Sequence, residues 1–518
     1  MRFFSTFLLA AVVVAAAAEP VPEPAEQPTR TLSKRSHILP FNVDHPGATP
    51  AFLAPADPIL LPVTQLVLLL TATTAGPLST LGKSAADLLN SVKTLNINGV
   101  VKTVSAVVPN LLCSLLGCAT QPVTDARPVL TNMGTVTCLD SSNNATVINS
   151  LFYYGGAGTT VYLCPNADIK LEGPIFFSAA NQTLTTNTLL DNQRAKLTIA
   201  NTASTCAVFG AYAGLDRCTL SNVEIDGARP ALGWDGNGLA LIEMGGSNSG
   251  QTIKNVKVYE PRGWSAMHLL EGTDNSCSAA VVEDNDIGPS GNAPTGPAQF
   301  RRRKRGTTYT PGQWADGISL ACQGSTVTGN TITDATDGGI VIFGAPNSKV
   351  QGNTIVQESR VALGGINAVD YQPFLGNFGG VVVSGNTFNA KSTMMKVGIA
   401  AGPSTWGSGS AALNTFGGSY SSNTFTSGSK GYFGYGISVS GHKAGTFKGN
   451  NFVNANFGGI LSASCSTPMP ERGPTVYNPV LSIGNVYQVG FVPAPYTLAI
   501  CTAPGKITST GVSYLGTL

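Results

Sequence analysis

A short unit that opens on Asn and runs into Ile, Val or Phe recurs at Asn222, Asn255, Asn285, Asn330, Asn353, Asn386, Asn423 and Asn450. The tightest step, from Asn330 to Asn353, is 23 residues, and longer steps such as Asn285 to Asn330 must hold inserted loops. A period of this size, with constant strand cores and variable insertions, marks a β-solenoid, because one coil cannot bury its apolar face alone and must stack on the next. Each Asn is read as a corner residue that tolerates left-handed backbone and bonds its amide to the coils above and below. All eight are therefore expected at one corner of the stack.

A second set of strands falls between these corners, aligned on a small residue followed by an apolar one: Gly238-Leu239, Ala266-Met267, Gly317-Ile318, Gly339-Ile340, Gly365-Ile366, Gly398-Ile399, Gly436-Ile437 and Gly459-Ile460. Strand alternation turns the first apolar residue, and usually the one two further on, toward the core. The texture is all-β from about Arg127 onward, with short β-branched runs between Gly and Asn and no segment of helical period.

The remainder of the chain supports this reading. Sixty glycines, 42% hydrophobic and 11% charged residues describe a folded, turn-rich protein, and a formal net charge of +2 gives no global sign that would point to nucleic acid. Residues 1–18 have the form of a secretory signal peptide, and Lys34-Arg35 resembles a kexin-type dibasic site, so 19–35 is expected to be a propeptide. Residues 36–126 form an N-terminal extension whose stretch 78–95 has helical apolar spacing and is expected to cap something larger, the β-domain being 127–518. Leu60 to Leu70 is too short to cross a bilayer, so a secreted, extracellular monomer without membrane anchor is expected. The basic run Arg301 to Arg305 is read as an exposed loop, with a polyanion contact or a second cleavage site as alternatives.

Ten cysteines without a Cys-x-x-Cys pair or a His cluster favour disulfides over metal, so neither a metal nor another cofactor is expected. Cys206 with Cys218 is the first pairing expected, although spacing does not fix connectivity. Asn144-Ala145-Thr146 and Asn181-Gln182-Thr183 are glycosylation sequons.

With these repeats, and with GTTVYLCPNADIKLEGPIFF at 158–177 similar to an opening coil, the chain resembles the pectin lyase-like superfamily over about 127–500. The resemblance implies a right-handed parallel β-helix, a fold shared by hydrolases, lyases, epimerases and non-catalytic adhesins. Trp314-Ala315-Asp316-Gly317 resembles the Asn-Thr-Asp motif of polygalacturonases. Thr336-Asp337-Gly338-Gly339 resembles their Asp-Asp motif, with Asp337 at the position of the general acid. The chain departs from that family at Gly338, where the second Asp belongs, at Gly364, where the His would be, and in having no Arg-Ile-Lys. These departures argue against a polygalacturonase proper and leave water activation to Asp316.

Stacking brings residues one coil apart to ~4.8 Å, so Asp316 and Asp337 are expected side by side. Paired carboxylates suit glycoside hydrolysis, and like charges that close raise one pKa, as a general acid requires. The alternative is that each Asp bonds the turn before its Gly. Trp264 and Trp314 are candidate stacking surfaces for sugar rings, and His268 a candidate polar contact. Trp234 belongs to the same aromatic series, and Glu243, Glu271 and Asp370 share another column and are read as solvated turn residues, with a second acidic stripe as the alternative. Arg360 and Lys396 are candidate substrate cations. They keep open a uronate lyase as the second reading, and a polysaccharide-binding, adhesin-like solenoid is the third. The partner in every case is a polysaccharide.

Overall fold

The structure is a computed structural model and describes residues 138–188, 190–293, 312–406, 413–461 and 472–494, with three short strands beyond. The expected signal peptide, propeptide, helix at 78–95 and basic run 301–305 lie outside these residues, as do Cys113, Cys118, Cys465 and Cys501.

The described chain winds as a right-handed parallel β-helix. Each turn contributes one strand to each of three parallel sheets of 11, 10 and 11 strands. The first sheet runs from Thr160–Leu163 to Val486–Tyr487, the second from Asp168–Leu171 to Asn451–Asn454, and the third from Ile175–Phe176 to Val492–Pro493. Parallel register stacks like on like, so the core is a set of columns. Ile253, Val282, Val327, Val350 and Val383 stack in the first sheet. Ile332, Ile355, Phe388 and Phe425 stack in the second. Ile242, Met267, Ile318, Ile340, Ile366, Ile399 and Ile437 stack in the third. All are buried, and Phe388 lies on Phe425 with ring centroids 4.7 Å apart and 10° between planes.

The small residue before each Ile has a steric cause. A Cβ on Gly398 would stand 2.3 Å from the Phe425 ring and 2.8 Å from the Gly436 carbonyl oxygen, and one on Gly365 would stand 2.5 Å from Phe388. At these two positions a side chain would run into the second-sheet column and the next strand's backbone. The alignment holds from Ala266-Met267 to Gly436-Ile437 and fails at its ends. Met267 pairs with Ile242, so Leu241-Ile242 takes the place expected for Gly238-Leu239. Ile437 pairs with Thr475, whereas Ile460 pairs with Ala503 in a separate two-stranded sheet.

The asparagine ladder is real over six of its eight positions. Asn330 donates its side-chain amide to Val282 O (3.0 Å) and to Asn353 Oδ1 (2.8 Å), and the same Oδ1 accepts the Asn330 backbone N–H (3.1 Å). The pattern runs through Asn285, Asn330, Asn353, Asn386, Asn423 and Asn450 and ends on Gln488 Oε1. Asn222 and Asn255 are displaced by one residue. The Val256 N–H bonds Asn285 Oδ1, so Val256 holds the ladder position. Asn222 and Asn255 occupy the preceding left-handed position (φ 52° and 51°), filled elsewhere by glycines such as Gly329 and Gly352. Left-handed tolerance thus belongs to the residue before the ladder, and amide bonding to the ladder itself.

Two further expectations are corrected. A helix, Ala145–Gly155, packs against the first coils, with Ile148 and Phe152 fully buried and Asn144 Oδ1 accepting the Val147 N–H at its start. Gln182 donates to Phe152 O and Gly156 O and fastens it. Cys206 and Cys218 are free and buried, while Cys138–Cys164 and Cys277–Cys322 are bridged. Cys218 packs in the inner core and Cys206 in an outer aromatic cluster with Phe209, so the two thiols belong to different faces of the coil wall.

Candidate functional site

Polar chemistry collects on the outward face of the third sheet. Register places Glu243, His268, Ser319, Val341, Asn367 and Ala400 in one column, each beside the inward residue of its strand. One end of this face is apolar, with Phe209, Phe176 and Tyr212. The other end is apolar too, with Leu363, Val397, Trp406 and Tyr435. The polar stretch between them is buried. Glu243, His268, Asp316, Ser319, Asp337 and Asn367 are all 6% exposed or less.

Asp316 opens the strand Asp316–Leu320. Its Oδ1 accepts the Gly338 N–H (3.0 Å) and its Oδ2 accepts the Ser319 hydroxyl (2.7 Å). Asp337 immediately precedes Gly338, and its N–H donates to Ala315 O (3.1 Å). The two acidic residues therefore stand on adjacent coils with an offset of one residue. The Asp316 carboxylate also bonds backbone at the next strand, so turn-type bonding and pairing are both present.

His268 lies beside this pair. Its Nδ1 is 2.9 Å from Glu243 Oε2, and the Trp264 ring meets it edge-on at 4.7 Å. Burial pulls the imidazole pKa down, but the Glu243 carboxylate, through charge and hydrogen bond, and Glu271, through charge, outweigh it, so the pKa is raised. Glu243 is thus not a turn residue but the carboxylate that orients His268. Glu243→Gln removes the charge that holds the imidazolium. Because the folded pKa is the higher one, the pair's stabilisation is complete below about pH 6 and is lost as pH rises through the raised value. The stability margin of the natural protein over Glu243→Gln is therefore expected to be widest in mild acid and to narrow toward alkaline pH. Thermal melts at the two ends check this, and a margin that widens with pH contradicts it.

The other expected site residues divide. Trp264 and Trp314 are both half-buried along this face, Trp314 against the apolar cluster around Val397 and Tyr435. Register carries the column of Asp337 through Leu363 to Lys396, whose ammonium burial pulls down to about 8. Arg360 falls outside that column. Its guanidinium donates to Gly291 O and pairs with Glu260 at 2.5 Å, binding two turns together. Trp234 lies before the strand Ile242–Gly245, with its buried indole N–H unpartnered. Asp370 follows Ala362–Ala368 and is half-buried. Ser265, whose hydroxyl accepts from that of Ser319 (2.9 Å), and Asn367 were not singled out in the sequence, and Glu243 was placed in another column; only the exact strand register shows all three on this face. Among the described residues no group of three His, Cys, Asp or Glu side chains is placed to hold a metal, and no helix is long and apolar enough to cross a membrane.

Residues 240–478 match the family model of a right handed beta helix region. A comparison with curated proteins gives no match. Among solved structures, the chain is similar to the Azotobacter vinelandii mannuronan C-5 epimerase AlgE6 A-module at 15% identity and a TM-score of 0.38, covering 69% of this chain and 98% of that one. It is similar to PfbA, a surface adhesin of Streptococcus pneumoniae, at 14% identity and a TM-score of 0.39, covering 72% and 91%. It is also similar to the DFA-IIIase of Arthrobacter chlorophenolicus A6, at 13% identity and a TM-score of 0.36, covering 71% and 96%. Likenesses of this order concern the coil architecture and carry nothing about chemistry.

Proposed function

We propose that the chain is a secreted glycoside hydrolase acting on a cell-wall or extracellular polysaccharide, with Asp337 as general acid and Asp316 as the group that positions the attacking water. One observation supports this most. The Asp316 carboxylate reaches the N–H of the residue after Asp337, so two buried acidic residues stand at neighbouring positions on adjacent coils of one sheet. Cleavage needs one proton delivered to the leaving glycosidic oxygen and one taken from water, and two carboxyl groups complete that exchange without another reactant. Trp264 and Trp314 would receive sugar rings by stacking, with His268 and Lys396 supplying hydrogen-bond donors at the same face. Arg360, already engaged by Glu260 and Gly291, is left out of this assignment.

A second reading, a polysaccharide-binding solenoid without catalysis, is favoured by the full burial of Asp316 and the bonds made by both its oxygens. The purified protein should be incubated with plant and fungal wall polysaccharides while reducing ends and the absorbance of unsaturated uronates are followed. Reducing ends alone support the hydrolase. Unsaturated products mean a lyase, and binding without products means the second reading.

A further inference from the structure

The two Asn-x-Thr triplets lie at the start of the solenoid, Asn144 capping the helix Ala145–Gly155 and Asn181 leading into the strand Thr183–Thr186. Both asparagines are exposed, and the fold uses only one edge of each amide. Asn144 Oδ1 accepts the Val147 N–H (3.2 Å), and Asn181 Oδ1 accepts from Nε of Arg217 on the next coil (2.8 Å). Among the described residues neither Nδ2 has a partner. The ladder asparagines show the contrast. Asn353 is fully buried, and its Nδ2 donates to Val327 O and Asn386 Oδ1.

This difference decides what the fold can carry. A sugar joined to Nδ2 takes the place of one amide hydrogen and leaves Oδ1 an acceptor, so neither the helix cap nor the link to Arg217 would be broken. An oligosaccharide is bulky and hydrophilic, and a chain that bears one folds around it only where the attachment point ends in solvent. Both exposed Nδ2 groups meet that condition.

We propose that Asn144 and Asn181 carry N-linked glycans in the secreted protein. The inference rests on the secretion stated under the proposed function and adds two modification sites to it. The co-reactant is an oligosaccharide held on a lipid diphosphate. Nδ2 forms a bond to the anomeric carbon, the bond from that carbon to the diphosphate oxygen breaks, the lipid diphosphate leaves with the electron pair, and the amide gives up one proton.

The test uses the full chain with its own N-terminus, expressed in a yeast that glycosylates secreted proteins. Protein from the medium is treated with peptide N-glycosidase, which converts a glycan-bearing Asn to Asp, and its peptides are read by mass spectrometry. Conversion is expected at positions 144 and 181. Thr146→Ala and Thr183→Val each destroy one triplet and keep the asparagine with its Oδ1 bond, and neither threonine hydroxyl is hydrogen-bonded among the described residues. Each variant is therefore expected to lose one glycan with the melting temperature nearly unchanged. Protein in the medium with either asparagine unconverted overturns the assignment of that residue and leaves secretion standing. Glycosylated protein that never reaches the medium supports the inference and overturns secretion alone. Protein retained in the cell with both asparagines bare overturns both.

Discussion

Replacing Asp337 by Asn is expected to lower turnover by ~100-fold or more while leaving the melting temperature close to that of the natural protein, since positioned proton transfer contributes about that factor. Asn keeps the shape and the backbone N–H bond to Ala315 O but cannot deliver a proton to a leaving oxygen. Asp316→Asn is expected to give a comparable loss with a larger structural cost. Its carboxylate accepts from both Gly338 N–H and the Ser319 hydroxyl, and an amide presents only one accepting atom to those two donors. Initial rates and thermal melts on the two variants separate these effects. Full activity in Asp337→Asn would remove it from the chemistry.

The largest stability effect is expected in the middle of the ladder. Asn353 Oδ1 accepts from the Asn330 backbone and side chain, and its Nδ2 donates to Val327 O and Asn386 Oδ1. All of these groups are buried, so Asn353→Leu strands donors and acceptors in three successive coils. With each unpaired buried group costing ~1–3 kcal/mol, a loss of about 3 kcal/mol is expected. Denaturant unfolding measures it, and a change below about 0.5 kcal/mol, the level of an ordinary surface substitution, would mean that the ladder adds nothing beyond the strands.

The solenoid was legible in the sequence because stacking repeats the same physical demand in every coil. Six of the eight asparagines and six of the eight small-apolar steps meet that demand where they were expected. The errors have two causes. Asn suits both the left-handed turn position and the ladder position next to it, so Asn222 and Asn255 could not be told from the rest by residue type. The first of the aligned steps was placed three residues early, at Gly238-Leu239 instead of Leu241-Ile242 on the strand Ile242–Gly245. That slip carried Glu243 out of the column of His268 and hid their ion pair. The helix Ala145–Gly155 had its own signals, Asn144 at the cap and apolar residues at Ala145, Ile148 and Phe152, but they lay inside a sequon and among β-branched residues.

The site was legible in one respect and closed in another. Two Asp-Gly steps about one coil apart pointed to acidic residues on adjacent coils, and the register sets Asp316 opposite Gly338, one residue past Asp337. The burial of Asn367 could not be read at all, because it depends on the missing side chains of Gly364 on its own strand and Gly338 on the strand before.

The general-acid role of Asp337 is tested most directly by how the damage in Asp337→Asn depends on the leaving group. The measurement compares the variant's turnover, relative to the natural protein, on the cleaved polysaccharide and on a nitrophenyl glycoside of the same sugar, whose leaving group needs little protonation. The deficit is predicted to shrink at least ~10-fold on the nitrophenyl glycoside, because the step that Asp337 serves has become less demanding. An equal deficit on both substrates would contradict proton donation by Asp337.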